Sequence, residues 1–140
     1  MNNYVADANV LFSAFISGKQ HYLNFFVRNQ ILTIDFVFTE LEKYRNIILK
    51  KSKMSNQELF NFSIGLFQKI TVIPSFTILP EVLEQAYYWC EGIDTKDVLY
   101  LALTLQYDGS KLLTRDRVLH DRLKAKGFEN VVMFHEVFDN

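Results

Sequence analysis

The stretch that most restricts the fold of this chain lies near its amino terminus, over residues 4–11. Its first residues, Tyr4-Val5-Ala6, predict a short β-strand, and helix-forming apolar residues follow at once. Asp7 stands between them, at the carboxyl end of the strand. Open α/β sheets place their sites at that edge, but aspartate is also a favoured residue for capping a helix. Asp7 is therefore either a site residue or a cap, and the positions of the other acids bear on the choice.

Short apolar segments alternate with segments of helical periodicity along the rest of the chain. The periodicity predicts helices at 11–16, 21–29, 36–51, 55–70, 80–90, 98–105 and 117–126, and further strands at 31–34, 71–73, 111–114 and 131–134. Strands this short that alternate with helices indicate a parallel sheet covered on both faces. The predicted fold class is therefore α/β.

Length and composition fit a single domain over residues 1–140, since the chain is 49% hydrophobic and 22% charged. The net charge of −1 argues against binding nucleic acid through bulk charge, but it leaves room for a local basic patch. No segment reaches the roughly 18 apolar residues of a membrane span, and no secretory signal is visible. The single cysteine, Cys90, cannot form an internal disulfide. We expect a cytoplasmic protein without a membrane span.

Glu40 is the second acid that needs an explanation. Helical phasing over residues 36–51 places Glu40 on one stripe with Leu41, Tyr44, Ile47 and Ile48, and Glu42 on the far side. A carboxylate against a buried face needs a cation or a proton, unless it lies at the edge of the stripe and reaches water. Both interpretations of Glu40 stay open, whereas Glu42 is predicted to be a solvated surface charge.

Two more acids stand at the starts of predicted helices. Asp97 begins a helix that is apolar nearly all the way round, and Asp94 precedes it by one turn. Capping accounts for Asp94, but it accounts less well for Asp97 because the helix of Asp97 is predicted to be buried. Asp116 follows a strand end, as Asp7 does.

These acids are placed so that they could converge, because right-handed crossovers send the ends of parallel strands to one edge. Carboxylates in close contact repel one another by about 4 kcal/mol per pair at an effective dielectric constant near 20. Such a cluster is hard to maintain without cations, and oxygen ligands select hard ions such as Mg²⁺ or Mn²⁺. Zinc is disfavoured, since Cys90 and the three histidines show no ligand spacing.

The acidic motifs, taken in order, resemble those of PIN-domain nucleases. The matching segments are Val-Ala-Asp7-Ala-Asn9-Val-Leu, Thr-Glu40-Leu, Asp94-x-x-Asp97-x-x-x-Leu-Ala-Leu and Leu-Leu-Thr114-Arg-Asp116. The resemblance implies a three-layer α/β/α sandwich about a central parallel sheet, with one acidic pocket. It also implies Mg²⁺- or Mn²⁺-dependent hydrolysis of phosphodiester bonds in RNA.

The resemblance also assigns roles by position. It implies that the catalytic acids are Asp7, Glu40, Asp97 and Asp116, of which Asp7, Asp97 and Asp116 bind the metal. It implies supporting polar groups beside the metal at Asn9, Asp94 and Thr114. Arg115 departs from the family, which often has a small residue at that position.

Expected partners follow from the same resemblance. Many small family members are the toxin of a toxin–antitoxin pair, so we expect an antitoxin protein as a partner beside the RNA substrate. Toxin-type relatives commonly form homodimers, and aromatic side chains such as Phe25, Phe26, Phe60 and Tyr88 could supply an interface. Core packing explains such residues equally well.

A basic stretch accompanies the last motif. Residues 111–126 contain six lysines and arginines against two aspartates, and Arg115 and Arg117 flank Asp116. We predict that this stretch supplies phosphate contacts beside the site, with Arg115 and Arg117 as the substrate-binding residues. The alternative is that the basic residues cover a solvated helix face.

Two other classes of protein remain to be weighed. A phosphatase of the haloacid-dehalogenase type also uses an aspartate at a strand end, but it needs a second acid two residues later, where this chain has Asn9. The other class is a non-catalytic binding module, in which the acids serve only as caps.

Overall fold

Strands and helices alternate along the chain in the computed structural model, which describes residues 2–138. The strands are β1 (Asn3–Ala6), β2 (Gln30–Ile34), β3 (Thr71–Ile73), β4 (Lys111–Thr114) and β5 (Val131–Met133). The helices are α1 (Ala8–Ser17), α2 (Gln20–Arg28), α3 (Phe36–Lys43), α4 (Arg45–Ser52), α5 (Asn56–Phe67), α6 (Pro80–Trp89), α7 (Val98–Gln106), α8 (Arg117–Ala125) and α9 (Phe134–Phe138). Single 3₁₀ turns lie at Ser75–Thr77 and Thr95–Asp97.

The strands form one sheet in the order β3-β2-β1-β4-β5, and every neighbouring pair is parallel. In the register of the sheet, Val5 lies opposite Leu32 on one side and Leu112 on the other. The central strand is therefore β1, which carries the amino-terminal motif. This arrangement confirms the predicted parallel sheet.

Alternation along the strands divides the core into two layers. Tyr4 and Ala6 face a core completed by α1, α2, α5 and α9, whereas Val5 faces a core completed by α6, α7 and α8. Successive residues of a strand point to opposite faces, so a strand buried on both sides needs apolar residues throughout. The helices cover both faces of the sheet, which confirms the α/β/α sandwich.

The strand order creates a switch point beside β1. The chain leaves β1 toward β2 and β3, then crosses to the other side of β1 to form β4. Parallel sheets of this kind have a crevice beyond the carboxyl ends of the two strands at the switch point. Asp7 lies at this crevice, where its backbone N–H donates to the Leu113 carbonyl oxygen at 3.2 Å.

The single helix predicted over residues 36–51 is wrong, because the structure has two helices, α3 and α4, with a break at Tyr44. Its backbone leaves helical geometry (φ −104°, ψ 13°), and its N–H donates to the Leu41 carbonyl oxygen three residues earlier. Glycine and proline are absent from the break, so periodicity alone gave no sign of it. Ile47 is 42% exposed as a result, although it continues the stripe of Leu41 and Ile48 in an unbroken helix.

The aromatic residues considered for an interface divide between core and surface. Phe25 and Phe26 belong to α2 and are buried in the core on the side of the sheet that α2 covers. They therefore cannot contact another copy of the protein. Phe60 and Tyr88 are exposed, at 60% and 69%. A homodimer stays a prediction that rests on the exposed residues alone.

None of the helices among residues 2–138 has both the length and the apolar character needed to cross a membrane.

Candidate active site

Asp7 lies at the centre of a buried network between β1 and β4. Its Oδ1 accepts a hydrogen bond from the Val10 N–H at 3.2 Å, and its Oδ2 accepts one from the hydroxyl of Thr114. The pKa of Asp7 is raised to about 6 despite these hydrogen bonds, chiefly by burial and to a smaller extent by the charges of Asp116 and Glu40. Asp7 therefore caps α1, as one of the two interpretations predicted, and its role as a site residue stays a prediction.

Thr114 links the acids that follow the two adjacent strands. Its side chain is fully buried, and its Oγ1 donates to Asp7 while it accepts from the Asp116 N–H at 3.0 Å. Asp116 in turn caps α8, because its Oδ1 accepts from the Leu119 N–H at 3.1 Å. The hydroxyl of Thr114 thus fixes the orientation of Asp7 relative to the start of α8.

Asp97 is placed differently from the other aspartates. It precedes α7, but its side chain makes no capping hydrogen bond to that helix. The residue is only 6% exposed, and its Oδ2 is buried without a hydrogen-bond partner among the described residues. The pKa of Asp97 is raised to about 7. Burial is the largest cause, and repulsion from Asp7 and Asp116 comes next. A buried carboxylate oxygen without a donor is costly, so this atom needs a proton or a cation.

Glu40 reaches the same region from α3. Its Oε1 accepts a hydrogen bond from the hydroxyl of Tyr100 on α7 at 2.5 Å. Burial raises the pKa of Tyr100, and the hydrogen bond to Glu40 raises it further, so Tyr100 remains a donor. A small pocket contains Glu40 together with Asp7 and Asp97. Glu42 is exposed, as the helical phasing predicted.

The two supporting groups predicted beside the acids have different surroundings. Asn9 lies in the first turn of α1 and lines the small pocket, although it is exposed overall. Asp94 is exposed and caps the 3₁₀ turn before α7, where its Oδ1 accepts from the Lys96 N–H at 3.1 Å. Asp94 also forms an ion pair with Lys96 at 3.7 Å, outside the small pocket.

The predicted acids are close enough to influence one another. Asp7 and Asp116 both raise the pKa of Asp97, and Glu40 and Asp116 raise that of Asp7. Within residues 2–138, however, no three His, Cys, Asp or Glu side chains are already gathered in an arrangement that holds a metal ion. Several of these carboxylates instead bind donors of the chain itself, as Asp116 binds Leu119 and Glu40 binds Tyr100.

The donor set nevertheless fits a hard divalent cation. The oxygens of these acids are the ligands that Mg²⁺ and Mn²⁺ prefer. The buried Oδ2 of Asp97 has no donor within the described part of the chain, and a cation beside Asp7 would satisfy it. The assignment of Asp7, Asp97 and Asp116 as metal ligands stays a prediction that this buried oxygen supports.

Comparison with known proteins identifies the family. The family model for the PIN domain matches residues 5–132. The chain belongs to the PIN-domain family. No curated protein gives a significant match.

Solved structures share the fold of this PIN domain. VapBC2 from Rickettsia felis, bound to a DNA fragment from its promoter, contains a chain that matches with a TM-score of 0.60 and 19% identity, over 93% of this chain and 96% of that one. DNA-bound VapBC from Salmonella typhimurium contains one that matches with a TM-score of 0.64 and 11% identity, over 96% and 99%. At these identities the similarity shows the fold.

Three residues of the basic stretch of this PIN domain make contacts within the fold. Arg122 donates to the Gly92 carbonyl oxygen, and Lys126 donates to the carbonyl oxygens of Trp89 and Glu91. Lys124 pairs with Glu129 at 3.3 Å. The prediction that the stretch contacts phosphate stays a prediction for its other residues, and these three also hold parts of the fold together.

The two arginines singled out for substrate binding are both exposed. Arg115 donates one N–H to the hydroxyl of Ser13 on α1, which leaves most of its five donors for other partners. Arg117 is the first residue of α8, next to Asp116. Their contact with substrate stays a prediction.

Two functional candidates were not assigned a role from the sequence. Tyr100 has no role in the sequence-based prediction, yet its hydroxyl donates to Glu40 and holds that side chain in place. Lys96 lines the small pocket beside Asp97. Burial opposes its charge, but Asp94, Asp97 and Glu40 together raise the pKa of Lys96. For Tyr100 the sequence contains one indication of a role. Tyr100 follows Asp97 by three residues, so the two lie on the same helix face.

Proposed function

We propose that this PIN domain is a Mg²⁺- or Mn²⁺-dependent endoribonuclease that hydrolyses phosphodiester bonds. The observation that carries the proposal is the buried Oδ2 of Asp97, which lacks a donor within the described chain and lies near Asp7. A purely structural acid would be hydrogen-bonded, as buried polar groups generally are. Membership of a nuclease family supports the same conclusion.

The ion would be held by Asp7, Asp97 and Asp116. When bound, it would neutralise charge at the attacked phosphate and activate water for an in-line displacement. Oxygen donors and no cysteine or histidine at the pocket favour Mg²⁺ or Mn²⁺ over zinc.

The remaining side chains would position the acids and the substrate. Thr114 orients Asp7 through its hydroxyl, and Tyr100 fixes one oxygen of Glu40, so that the other oxygen can face the reacting groups. Glu40 would then act as a proton acceptor from water. Arg115 and Arg117, which flank Asp116, would contact the phosphates of the RNA.

The toxin of a toxin–antitoxin pair is the proposed cellular role, in the cytoplasm. Its support is the fold, since similar chains occur in VapBC from Rickettsia felis and from Salmonella typhimurium. An antitoxin protein is the corresponding partner, and the exposed aromatic residues Phe60 and Tyr88 are candidates for a contact between copies.

The direct test is cleavage of a labelled single-stranded RNA by the purified protein. We expect cleavage with Mn²⁺ or Mg²⁺, none with excess EDTA, and none by Asp7→Asn, because the amide keeps the shape of the side chain but loses its charge. Asp108→Asn is the matched control, since Asp108 is exposed in the loop before β4. A folded Asp7→Asn protein that cleaves at the wild-type rate would reject the proposal.

The same assay separates the proposal from a non-catalytic module. A module would bind the RNA and leave it intact under every metal condition. DNA of the same sequence tests whether RNA is the substrate, and equal cleavage of both would reject the ribonuclease assignment.

A further inference from the structure

A groove of about 260 Å³ adjoins the acidic pocket and has no role so far. The two share Asn9, Glu40 and Lys96, so anything bound in the groove would extend directly into the acids. Lys51 from α4 also lines the groove and is not part of the acidic pocket. A polymer cleaved at the acids needs a path for its neighbouring units, and this groove is continuous with the place of cleavage.

Aromatic rings form one wall of the groove. Phe12 of α1 and Tyr44 both line it, and their rings pack edge to face with centroids 5.6 Å apart. Tyr44 stands at the break between α3 and α4, and the Lys43 ammonium lies 5.6 Å from the centroid of its ring. Proteins that bind single-stranded nucleic acids use aromatic rings of this kind to stack on nucleobases. Such stacking is available to every type of base.

The charge around the groove complements a phosphate backbone. Residues 43–53 contain no acidic residue and five basic residues, which are Lys43, Arg45, Lys50, Lys51 and Lys53. Cations in the last turn of α4 also interact favourably with its helix dipole. This interaction alone would explain why Lys50 and Lys51 are both basic. Only Lys51 of that pair lines the groove. Lys96 supplies a second cation at the end nearer the acids.

We propose that the groove binds one nucleotide of single-stranded RNA beside the bond that is cleaved. The base lies against the ring of Tyr44, and the phosphates on its two sides contact Lys51 and Lys96. This deepens the proposed function and rests on it. An unpaired strand is favoured, because a base inside a duplex would first have to be unpaired and unstacked, at a cost in free energy.

The test is the binding of a short fluorescent oligouridylate, followed by anisotropy at several salt concentrations. All proteins carry Asp7→Asn and are measured with Mn²⁺, so that the RNA stays intact. Lys51→Gln should weaken binding about fivefold and lower the slope of log K against log salt by about 0.7, which corresponds to one lost phosphate contact. Lys50 is adjacent in sequence but does not line the groove, so Lys50→Gln should change neither the affinity nor the salt dependence.

The aromatic wall is tested separately. Tyr44→Leu keeps an apolar side chain against Phe12 but removes the stacking surface, and we expect binding about tenfold weaker. Tyr44→Phe should bind as well as the parent protein. Thermal melting checks that both variants are folded.

Three outcomes overturn the inference: no binding of the oligouridylate, equal effects of Lys51→Gln and Lys50→Gln, or full binding by Tyr44→Leu. Any of these would leave the groove to another occupant, such as a segment of a partner protein. The outcome is independent of the cleavage assay. Cleavage without a role for Lys51 rejects this nucleotide site alone, and binding through Lys51 without cleavage by the wild-type protein rejects the nuclease activity alone.

Discussion

The starts of α5 and α7 use acidic residues in opposite ways. At α5, the Ser55 side chain accepts from the Glu58 N–H, and the Glu58 carboxylate accepts from the Ser55 N–H at 3.0 Å. These hydrogen bonds lower the pKa of Glu58, which is exposed. At α7, Asp97 is buried and makes no capping bond, and burial and neighbouring acids raise its pKa to about 7.

The comparison separates an exposed acid that caps a helix from a buried acid that has no capping bond. An acid that caps a helix gains donors for its charge, so folding favours its ionised form. Asp97 loses water and gains like charges, so folding disfavours its ionised form. Such a position weakens the protein unless something else binds there, and a perturbed acid in a pocket is a candidate for a functional site.

The largest expected effect concerns Asp97 against its neighbour Asp94. Asp97→Asn should lower metal-dependent cleavage by about 1000-fold or more, since a ligand of the ion stabilises charge at the phosphate by several kcal/mol. Asp94→Asn should cost about 10- to 100-fold, as typical for groups that act behind a metal ligand. Cleavage rates at rising Mn²⁺ concentration compare the two, and only the Asp94 variant should recover. The reverse order would exchange their roles.

A smaller effect is expected for Glu40. Glu40→Gln should lower the rate by about 100-fold, in the range for a lost general base. Glu42→Gln should stay within about twofold of wild type, because Glu42 is exposed and lies away from the small pocket. Both variants keep the size and polarity of the side chain, so each serves as the control of the other. Equal rates for the two would show that Glu40 has no part in the chemistry.

The fold was largely predictable from local patterns. Residues 4–7 and 112–116 each place an acid at or just beyond the end of a short apolar strand, and parallel strands bring those ends together. The capping box at Ser55 and Glu58 was visible from its three-residue spacing. Such features depend on residues that are close in the chain.

What could not be predicted depends on residues far apart. The break at Tyr44 is marked by no glycine or proline, and the ring of Tyr44 packs on Phe12 more than thirty residues away. The bond from Tyr100 to Glu40 joins residues sixty positions apart. Sequence spacing also gives no measure of whether a carboxylate has a donor, which is what separates Asp97 from Asp94.

The stability of the metal-free protein should respond to the same difference. The folded-state pKa of Asp97 lies above its ordinary value of 3.8, at about 7, so the folded state binds more protons than the unfolded state between these values. Its contribution to stability is therefore present at low pH and lost as the pH rises through about 7. Asp97→Asn mimics the protonated acid, so its advantage over wild type should grow by on the order of 4 kcal/mol across that window.

Urea denaturation in EDTA at a series of pH values measures this difference. Subtracting the wild-type free energy of unfolding from that of Asp97→Asn removes the contribution of the other titrating groups. A difference that does not change with pH would show that Asp97 is not repelled in the folded protein.

The smallest effect is expected at α5. Ser55→Ala should lower the free energy of unfolding by about 1 kcal/mol through loss of the cap. Cleavage should be unchanged, because the capping box has no contact with the acidic pocket. Ser55→Asp keeps a capping oxygen and should retain most of the stability. Loss of cleavage in a folded Ser55→Ala protein would show that the start of α5 also affects activity, which contradicts the distinction between the two helix starts.

Calorimetric titration with Mn²⁺ tests most directly whether the buried acids bind metal. The titration is run near pH 6 and near pH 8, each in two buffers with different heats of ionisation, so that proton release can be counted. Because the pKa values of Asp7 and Asp97 are about 6 and about 7, we expect saturable binding that releases protons near pH 6 and few near pH 8. Binding should be lost in Asp97→Asn and retained in Ser55→Ala. No saturable heat with the wild-type protein, or equal Mn²⁺ binding by Asp97→Asn, would contradict the assignment.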